Sequence, residues 1–290
     1  MSDYLIYTDS TADLSPALVE RAGVKVIPME FTVAGKAYLN YPDNRALDPH
    51  AFYDLLRGGG MATTSLINVE RYLSIFEPEL EAGHDLLYIA FSSGLSGSFN
   101  CAQIAVADLA KKYPARKILA VDSLAASMGE GLLVYNAAEQ KKAGLSLEAL
   151  AKWVEDNRNH LCHWFTVDDL DHLKRGGRVS PAAAFFGGML NIKPVLHVDD
   201  EGHLIPMQKL RGRKASLEAL LGEMEKTVAD PQDQTVFVSH GDSLDDCNYV
   251  AAEVKKRFGV KEVFVNYIGP VIGAHSGPGT IALFFLGTGK

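Results

Sequence analysis

Short apolar runs alternate with amphipathic stretches through the first half of the chain. The runs at residues 4–8, 86–91 and 117–121 have the length and composition of buried strands. Helical spacing follows each run, and Ser15 followed by proline is a good N-cap that predicts a helix over residues 16–22. This alternation is typical of an α/β fold with a parallel sheet, in which ligand-binding loops gather at the carboxyl ends of the strands.

The segment between the first two of these runs carries weaker signals. Residues 24–31 predict a second strand region, and residues 48–56 predict a short helix after an Asp-Pro start. Ser65 or Asn68 is the expected N-cap of an amphipathic helix that follows. Three consecutive hydroxyl side chains, at residues 63–65, are then expected at the N-terminal approach to that helix.

The pattern changes near residue 160. A strand at residues 162–167 leads into a short helix that a Gly-Gly pair ends, and a β-hairpin is predicted from strands at residues 194–198 and 204–210. We therefore predict an N-terminal parallel-sheet α/β domain over residues 1–160 and a smaller hairpin-bearing α/β domain over residues 161–290. Further elements are predicted at residues 146–160, 215–227, 235–239 and 262–268.

Composition limits the classes of function. The chain has 290 residues, of which 47% are hydrophobic, so it can bury a sizeable core and is long enough for two domains. A formal net charge of -8 argues against a nucleic-acid surface and a polybasic membrane anchor. Without a signal peptide or a long apolar segment, a cytoplasmic protein with no stable membrane anchor is expected. Cys101, Cys162 and Cys247 lack CxxC spacing, so neither a zinc site nor a disulfide framework is expected.

Polar residues follow three of the predicted strands. Residues 92–98 are almost wholly small and hydroxylated, and they join a strand to a helix. Such a loop directs backbone N–H groups to one point, where the helix dipole favours an anion. The alternative is that these are ordinary turns and helix caps. The polar residues and the glycine at these strand ends are Ser10, Ser93, Gly94, Asp122 and Ser123.

Six motifs occur in order along the chain: YTDSTADLS, SSGLSGSF, VDS, DDLDHLKRGGRVS, IKPVLHVDDEGHLIPMQKLRGRKA and GAHSGPG. Together they resemble the DegV family of bacterial fatty-acid-binding proteins, which includes the lipid-carrier subunit of fatty acid kinase. The resemblance implies a two-domain DegV-like fold with one long-chain fatty acid, such as palmitate or oleate, in a tunnel between the domains. It also implies a carrier without cofactor or catalytic chemistry, which presents the acyl carboxylate to a separate fatty acid kinase that makes acyl-phosphate for phospholipid metabolism.

The resemblance assigns roles to five positions. Thr64 and Ser96 match the carboxylate-binding hydroxyls, and Arg178 and His275 match the basic residue and the histidine of the same site. Arg211 matches the arginine after the hairpin; with Arg213 and Lys214 it forms either a docking surface for a partner kinase or an ordinary solvated basic patch. A carboxylate in an apolar cleft needs hydrogen-bond donors or a positive partner. The hydroxyls supply the donors, and Arg178, together with His275 if it is protonated, can supply the charge.

One departure from the family pattern concerns the neighbourhood of Thr64. Many members have Ser-Gln-Pro after the threonine, whereas this chain has Ser-Leu-Ile at residues 65–67. Ser65 is included among the expected supporting residues, with a local backbone that can differ from the family. The expected walls of the tunnel are the apolar segments at residues 182–190 and 281–285, although such segments are also common in an ordinary core.

Three other interpretations stay open. Residues 94–98, Gly-Leu-Ser-Gly-Ser, are one residue short of the nucleophile-elbow pattern, so a serine hydrolase with Ser96, His275 and Asp242 is one alternative. A lipid-bound regulatory or interaction protein is another. A metal site is a weaker alternative, because acidic residues are expected anyway in a first helical turn. Its candidate ligands are His240, Asp242, Asp245 and Asp246.

Overall fold

The computed structural model of the protein describes residues 4–168, 170–179 and 191–290. Within these ranges the strands are β1 (Tyr4–Asp9), β2 (Lys25–Ile27), β3 (Glu30–Val33), β4 (Lys36–Leu39), β5 (Ala62–Ser65), β6 (Asp85–Ala90), β7 (Ile118–Asp122), β8 (Leu161–Thr166), β9 (Ile192–Val198), β10 (Leu204–Arg211), β11 (Thr235–His240), β12 (Glu262–Tyr267) and β13 (Ile281–Leu286). The helices are α1 (Pro16–Ala22), α2 (Pro49–Arg57), α3 (Val69–Glu81), α4 (Ser98–Lys112), α5 (Ser127–Lys142), α6 (Leu147–Asn157), α7 (Asp171–Arg175), α8 (Arg213–Thr227), α9 (Leu244–Phe258) and α10 (Pro270–Ser276). The predicted α/β class is confirmed.

A four-stranded parallel sheet, in the order β2-β1-β6-β7, forms the centre of the first half of the chain. Every residue of β6 is buried, which explains why its sequence after Asp85 is a continuous apolar run rather than an alternating one. The three strands predicted from apolar runs are present, with ends shifted by about one residue. Their carboxyl ends bring Asp9, Ser92 and Asp122 to one edge of the sheet.

A six-stranded mixed sheet, in the order β10-β9-β8-β13-β11-β12, forms the second half. β11 and β12 are parallel, and the other neighbours are antiparallel. The predicted hairpin is confirmed as β9 and β10, whose register shifts between Pro206 and Gln208, where proline has no N–H to donate. The final apolar run becomes β13, a central strand between β8 and β11.

A third, antiparallel sheet has the order β4-β3-β5, and the sequence pattern does not predict it. The expectation of one strand region over residues 24–31 is wrong, because Pro28 separates β2 from β3 and the two join different sheets. The expectation that residues 63–65 approach a helix is also wrong, since they belong to β5. The N-cap of α3 is Asn68, whose side chain accepts a hydrogen bond from the backbone of Arg71.

Helix starts follow the expected capping chemistry. Ser15 and Asp48 cap α1 and α2, each with proline at the first helical position, and Ser146 caps α6. The helix predicted over residues 146–160 ends at Asn157 and continues as a 3-10 turn. No helix in the described ranges is long and apolar enough to span a bilayer.

Helix α5 packs between the two large sheets and is buried along most of its length. Its residues share one hydrophobic cluster with Ile6 and Leu87 of the parallel sheet and with Phe237 and Phe284 of the mixed sheet. All described strands before residue 123 belong to the parallel and small sheets, and those after residue 160 belong to the mixed sheet. The boundary between the predicted domains, at residue 160, stays a prediction.

Candidate functional site

A cavity of about 220 Å³ lies beside the mixed sheet. This is more than roughly ten times the volume that one water molecule needs. Alternate residues of β8 and β13 face it, namely Phe165, Ala282 and Phe284, because successive side chains of a strand point to opposite faces. Of the two segments expected as walls, residues 281–285 therefore contribute two side chains. The other, residues 182–190, lies outside the described residues.

One part of the cavity wall is polar. Thr64 from β5, Ser96 from the turn before α4, Arg178 from the segment after α7 and His275 from α10 all line the cavity. These are the four residues that the family resemblance assigns to carboxylate binding. The structure brings them to one cavity although they are far apart in sequence, and their binding roles stay a prediction.

Thr64 and His275 contact each other. Thr64 Oγ1 and His275 Nε2 are 2.9 Å apart, while the Nδ1 of the same ring is buried without a hydrogen-bond partner among the described residues. Burial, together with the nearby charges of Arg178 and His172, lowers the pKa of His275 to about 4. The imidazole is therefore neutral at pH 7. The condition for a positive charge on His275 is therefore not met in this structure, and the pair offers hydrogen bonds only.

Arg178 supplies the positive charge of the site. Its side chain is partly buried, and its Nη1 donates to the carbonyl oxygen of Gly176. Burial lowers the pKa of Arg178, but an arginine remains charged in a protein. Within the described part of the chain, no carboxylate forms an ion pair with this guanidinium. A partly buried charge of this kind is unfavourable until an anion pairs with it.

Gly176 makes room for the histidine. Its φ is -73°, so the backbone does not require glycine for its conformation. A Cβ at this position would lie 2.2 Å from the Nδ1 of His275, much closer than a van der Waals contact. The Gly-Gly pair that the sequence presents as a helix stop therefore also determines where the imidazole lies.

Ser96 lies in the turn that opens α4. Its backbone N–H donates to the Ser92 carbonyl at 3.1 Å, and its Oγ accepts from the Ser98 N–H at 3.2 Å. The hydroxyls of Ser96 and Ser98 are 3.0 Å apart, and Ser98 Oγ accepts from the Ile67 N–H at 3.2 Å. These bonds tie the turn to the segment that follows β5. Because Ser98 can donate in the hydroxyl pair, the Ser96 O–H remains available to a ligand.

The residues expected to support the carboxylate site differ in whether they line the cavity or stabilise the loops beside it. Ser65 lines the cavity. Ser93 and Asp122 join two loops, since the Ser93 N–H donates to the Asp122 carboxylate at 3.2 Å, and Ser123 Oγ accepts from the Ala125 N–H at 3.1 Å. These bonds match the alternative of ordinary turns, and they hold the loop that carries the binding candidates.

Gly94 and Ser10 also shape the surroundings of the cavity. Gly94 lies against the hairpin turn, where a Cβ would be 2.9 Å from the carbonyl oxygens of Glu201 and Gly202. Ser10 Oγ accepts from the Met29 N–H at 3.0 Å. The position of the Gly/Ser loop therefore depends on contacts with the second half of the chain.

A buried acidic network behind the cavity was missed by the sequence reasoning. Ser127 lines the cavity and donates to Asp13 at 2.6 Å, and Asp13 also accepts from the Gly269 N–H at 2.9 Å. Burial, with a smaller contribution from Asp9, raises the pKa of Asp13 to about 8, although the hydrogen bonds from Ser127 and Gly269 oppose the shift. Burial and Asp9 also raise the pKa of Glu130. The available sequence signal was a pair of aspartates four positions apart at the end of β1.

The triad of the hydrolase alternative is not assembled. His275 contacts Thr64, and Asp242 accepts from the ring of His50 at 2.8 Å rather than orienting His275. The hydroxyl of Ser96 pairs with that of another serine. The structure therefore does not place the predicted base beside the predicted nucleophile.

Two of the four predicted metal ligands are bound to arginine side chains. Asp242 accepts from Arg57 Nη1 at 2.5 Å, and Asp246 accepts from Arg213 Nε at 2.7 Å. His240 is buried, and its Nδ1 accepts from the backbone of the following loop. The cations that neutralise this acidic cluster are therefore guanidinium groups of the chain itself.

A second cleft, of about 280 Å³, adjoins the polar end of the cavity. It shares Thr64, Arg178 and His275 with the cavity, and His172 and the exposed Arg175 also line it. A group bound to the three shared residues is therefore flanked by the apolar cavity and by this cleft.

Arg211, the expected docking residue, is exposed at the end of β10. Arg211 is not among the described residues that line the cavity or the second cleft. Its neighbour Arg213 is held by Asp246. The docking role of Arg211 stays a prediction.

In a comparison with protein families, the model of the DegV family matches residues 4–288 of this chain. The chain belongs to the DegV family. A DegV domain-containing protein of Clostridium perfringens is 45% identical over 290 residues, which cover 100% of this chain and 99% of that protein. A second relative, from Lactococcus lactis, is 37% identical and covers 97% of this chain and 96% of its own. The resemblance drawn from the motifs is confirmed.

Solved DegV structures share the fold over nearly the whole chain. A lipid-binding DegV protein of Thermotoga maritima has a TM-score of 0.87 at 27% identity and covers 100% of both chains. A fatty-acid-binding DegV family protein of Thermus thermophilus has a TM-score of 0.86 at 32% identity, over 97% of this chain and 98% of that one. The fatty-acid-binding DegV of Bacillus subtilis has a TM-score of 0.85 at 28% identity, over 98% and 99%. The predicted DegV-like fold is confirmed.

Proposed function

We propose that this DegV protein binds one long-chain fatty acid, such as palmitate or oleate, with the tail in the cavity and the carboxylate at the polar end. The observation that carries the proposal is Arg178, a partly buried cation beside an apolar cavity with no carboxylate partner among the described residues. A fatty acid provides both the missing anion and the apolar group. The solved DegV proteins described as fatty-acid-binding support the same ligand class.

Binding energy and orientation come from different parts of such a ligand. Burying roughly fifteen methylenes at about 0.8 kcal/mol each gives on the order of 12 kcal/mol before the costs of ordering are subtracted. The hydroxyls of Thr64 and Ser96 donate to the carboxylate, and Arg178 adds a charge-assisted hydrogen bond. The neutral His275 orients Thr64 through their 2.9 Å contact. The tail therefore retains the ligand, and the polar end positions its head group.

We further propose that the bound carboxylate is presented to a separate fatty acid kinase. The support is the second cleft, because the residues expected to bind the carboxylate also line it and Arg175 adds positive charge there. A phosphate donor approaching through this cleft meets the carboxylate without displacing the tail. Incubating the loaded protein with ATP and a candidate kinase tests the idea through acyl-phosphate formation. A loaded protein that yields none with kinases active on other DegV carriers favours a lipid-bound regulatory protein.

The direct test of lipid binding is mass spectrometry of the protein purified from a bacterial host. We expect a denatured extract to contain about one long-chain fatty acid per chain. Ala282→Leu is the matched control, because the larger side chain takes up part of the cavity and is expected to lower the lipid content. Absence of lipid from the wild-type extract, together with no uptake of added palmitate, would refute the proposal.

Replacing Arg178 by methionine is expected to weaken palmitate binding by about tenfold or more. The variant removes a charge-assisted bond, for which the usual range is about 1.5–3 kcal/mol. Binding of the fatty alcohol of the same length should stay within about twofold, since it has no carboxylate. Arg175→Met, at an exposed cleft position, is the charge control. Equal losses for the acid and the alcohol would show that Arg178 acts only on the packing of the cavity.

A further inference from the structure

The wall of the cavity contains a polar side chain away from the expected carboxylate site. His163, on β8, lines the cavity and is only 2% exposed. Its ring meets that of Phe284 edge-on, with centroids 5.2 Å apart. In the described part of the chain, its buried Nε2 has no hydrogen-bond partner. Unpaired polar atoms in such places are uncommon in proteins and call for an explanation.

Strand register places His163 deep in the cavity. It lies opposite Phe284, while Phe165 lies opposite Ala282, and these four side chains all face the cavity. Thr280, which lines the cavity near α10, precedes Phe284 by four residues. Four residues of a strand span roughly 13 Å. His163 is therefore expected to face the acyl chain rather than the head group.

The chemistry of the ring also excludes a role as an anion partner. Burial holds the pKa of His163 well below its ordinary value, so the ring is neutral. A neutral imidazole has one N–H donor and one acceptor nitrogen. A methylene chain pairs with neither of them, whereas a hydroxyl group can donate to one or accept from the other.

The neighbouring helix is adapted to this ring. Gly129 of α5 lies against it, and a Cβ there would be 2.2 Å from Cε1 and 2.5 Å from Nε2 of His163. Any larger residue at position 129 would displace the imidazole. The glycine offers no side-chain hydrogen bond, so the packing holds the ring in the wall without satisfying it.

We propose that His163 makes this protein prefer long-chain fatty acids that carry a hydroxyl group in the middle or distal part of the chain. The inference rests on the proposed function, since it concerns the same cavity. A hydroxylated chain brings a hydrogen-bond partner to the ring, while a plain chain leaves the ring unpaired. The protein discriminates between the two kinds of fatty acid because a buried polar group without a hydrogen-bond partner is unfavourable.

The test compares the affinities of stearate, 10-hydroxystearate and 12-hydroxystearate for the wild-type protein and for His163→Phe. For each hydroxy acid, the quantity compared is the ratio of its affinity to that of stearate. For at least one of them, this ratio should be about fivefold higher in the wild type than in His163→Phe. Oleate is the control for chain shape, because it is kinked but carries no hydroxyl. His197→Phe is the control substitution, since His197 lies on β9 and stacks on Trp164.

An equal ratio of hydroxystearate to stearate affinity in the wild type and in His163→Phe would overturn the inference. Failure of the wild type to bind stearate would instead contradict the proposed function. If the variant does not fold, nitrogen-15 spectra of histidine-labelled wild-type protein decide the matter. The His163 ring signals should shift with a hydroxy acid more than with stearate, and identical shifts would overturn the inference as well.

Discussion

Replacing Gly176 by alanine is expected to weaken fatty-acid binding about 100-fold while the protein stays folded. The added Cβ would lie 2.2 Å from the Nδ1 of His275, so the ring must move and its 2.9 Å contact with Thr64 is lost. The Gly176 carbonyl also accepts from Arg178, so a backbone shift that relieves the collision disturbs the charged group as well. Losing both interactions corresponds to about 2.7 kcal/mol. Calorimetric titration with palmitate measures the change.

Two controls separate the collision from a general effect of alanine. Gly222→Ala in α8 meets nothing within 4 Å, so palmitate affinity should be unchanged and stability unchanged or higher. The double variant Gly176→Ala with His275→Ala removes the collision, so its affinity should equal that of His275→Ala alone. Wild-type affinity in Gly176→Ala would show that the imidazole position is unimportant for binding.

The parallel sheet could be predicted from the sequence because its signals are local. β6 is buried on both faces, so it appears as an uninterrupted apolar run, and α1 is bounded by a Ser-Pro start and Gly23. The hairpin of β9 and β10 was equally readable, since a polar turn separates two strand-like segments. In each case the element's own residues carry the information, and the partner elements change its ends by only one or two residues.

The strand β5 could not be predicted in the same way. Residues 62–65 are short and mostly hydroxylated, and their conformation depends on pairing with β3, about thirty positions earlier in the chain. Helix α10 is a similar case, because it has only seven residues, which carry no clear periodic signal. The family motifs identified Thr64 and His275 as site residues, but their mutual contact depends on these two unpredicted elements.

Buried polar residues were the other limit of the sequence reasoning. Asp13 and Glu130 belong to segments whose composition gives no sign that their side chains are enclosed, and His163 lies in a segment that was predicted only as a strand. These enclosed side chains are recognisable only once the sheets and α5 are packed together. The loop around Ser10, residues 9–11, was predicted as a candidate site loop, whereas the structure uses the carboxylates of Asp9 and Asp13 inside a hydrogen-bonded network.

Replacing Asp13 by asparagine is expected to reduce the loss of stability at rising pH. The carboxyl has an ordinary pKa of 3.8 and a folded-state pKa of about 8. Between these values the folded protein holds a proton that the unfolded chain releases, so the free energy of unfolding falls as pH increases. One such proton contributes about 1.4 kcal/mol per pH unit. Removing the titration should make the slope less negative by about that amount between pH 5 and 7.

Asparagine suits the site because the neighbouring groups can adjust. Its Oδ1 still accepts from the Gly269 N–H, and its NH₂ donates to Ser127, which can turn its own proton to Ser239 at 3.2 Å. Urea unfolding at several pH values measures the slope, and Asp156→Asn at an exposed position is the control. Asp9 and Glu130 retain their own contributions, so some slope should remain. An unchanged slope in Asp13→Asn would mean that Asp13 is ionised in the folded protein, with the proton of the network held by one of the other two carboxyls.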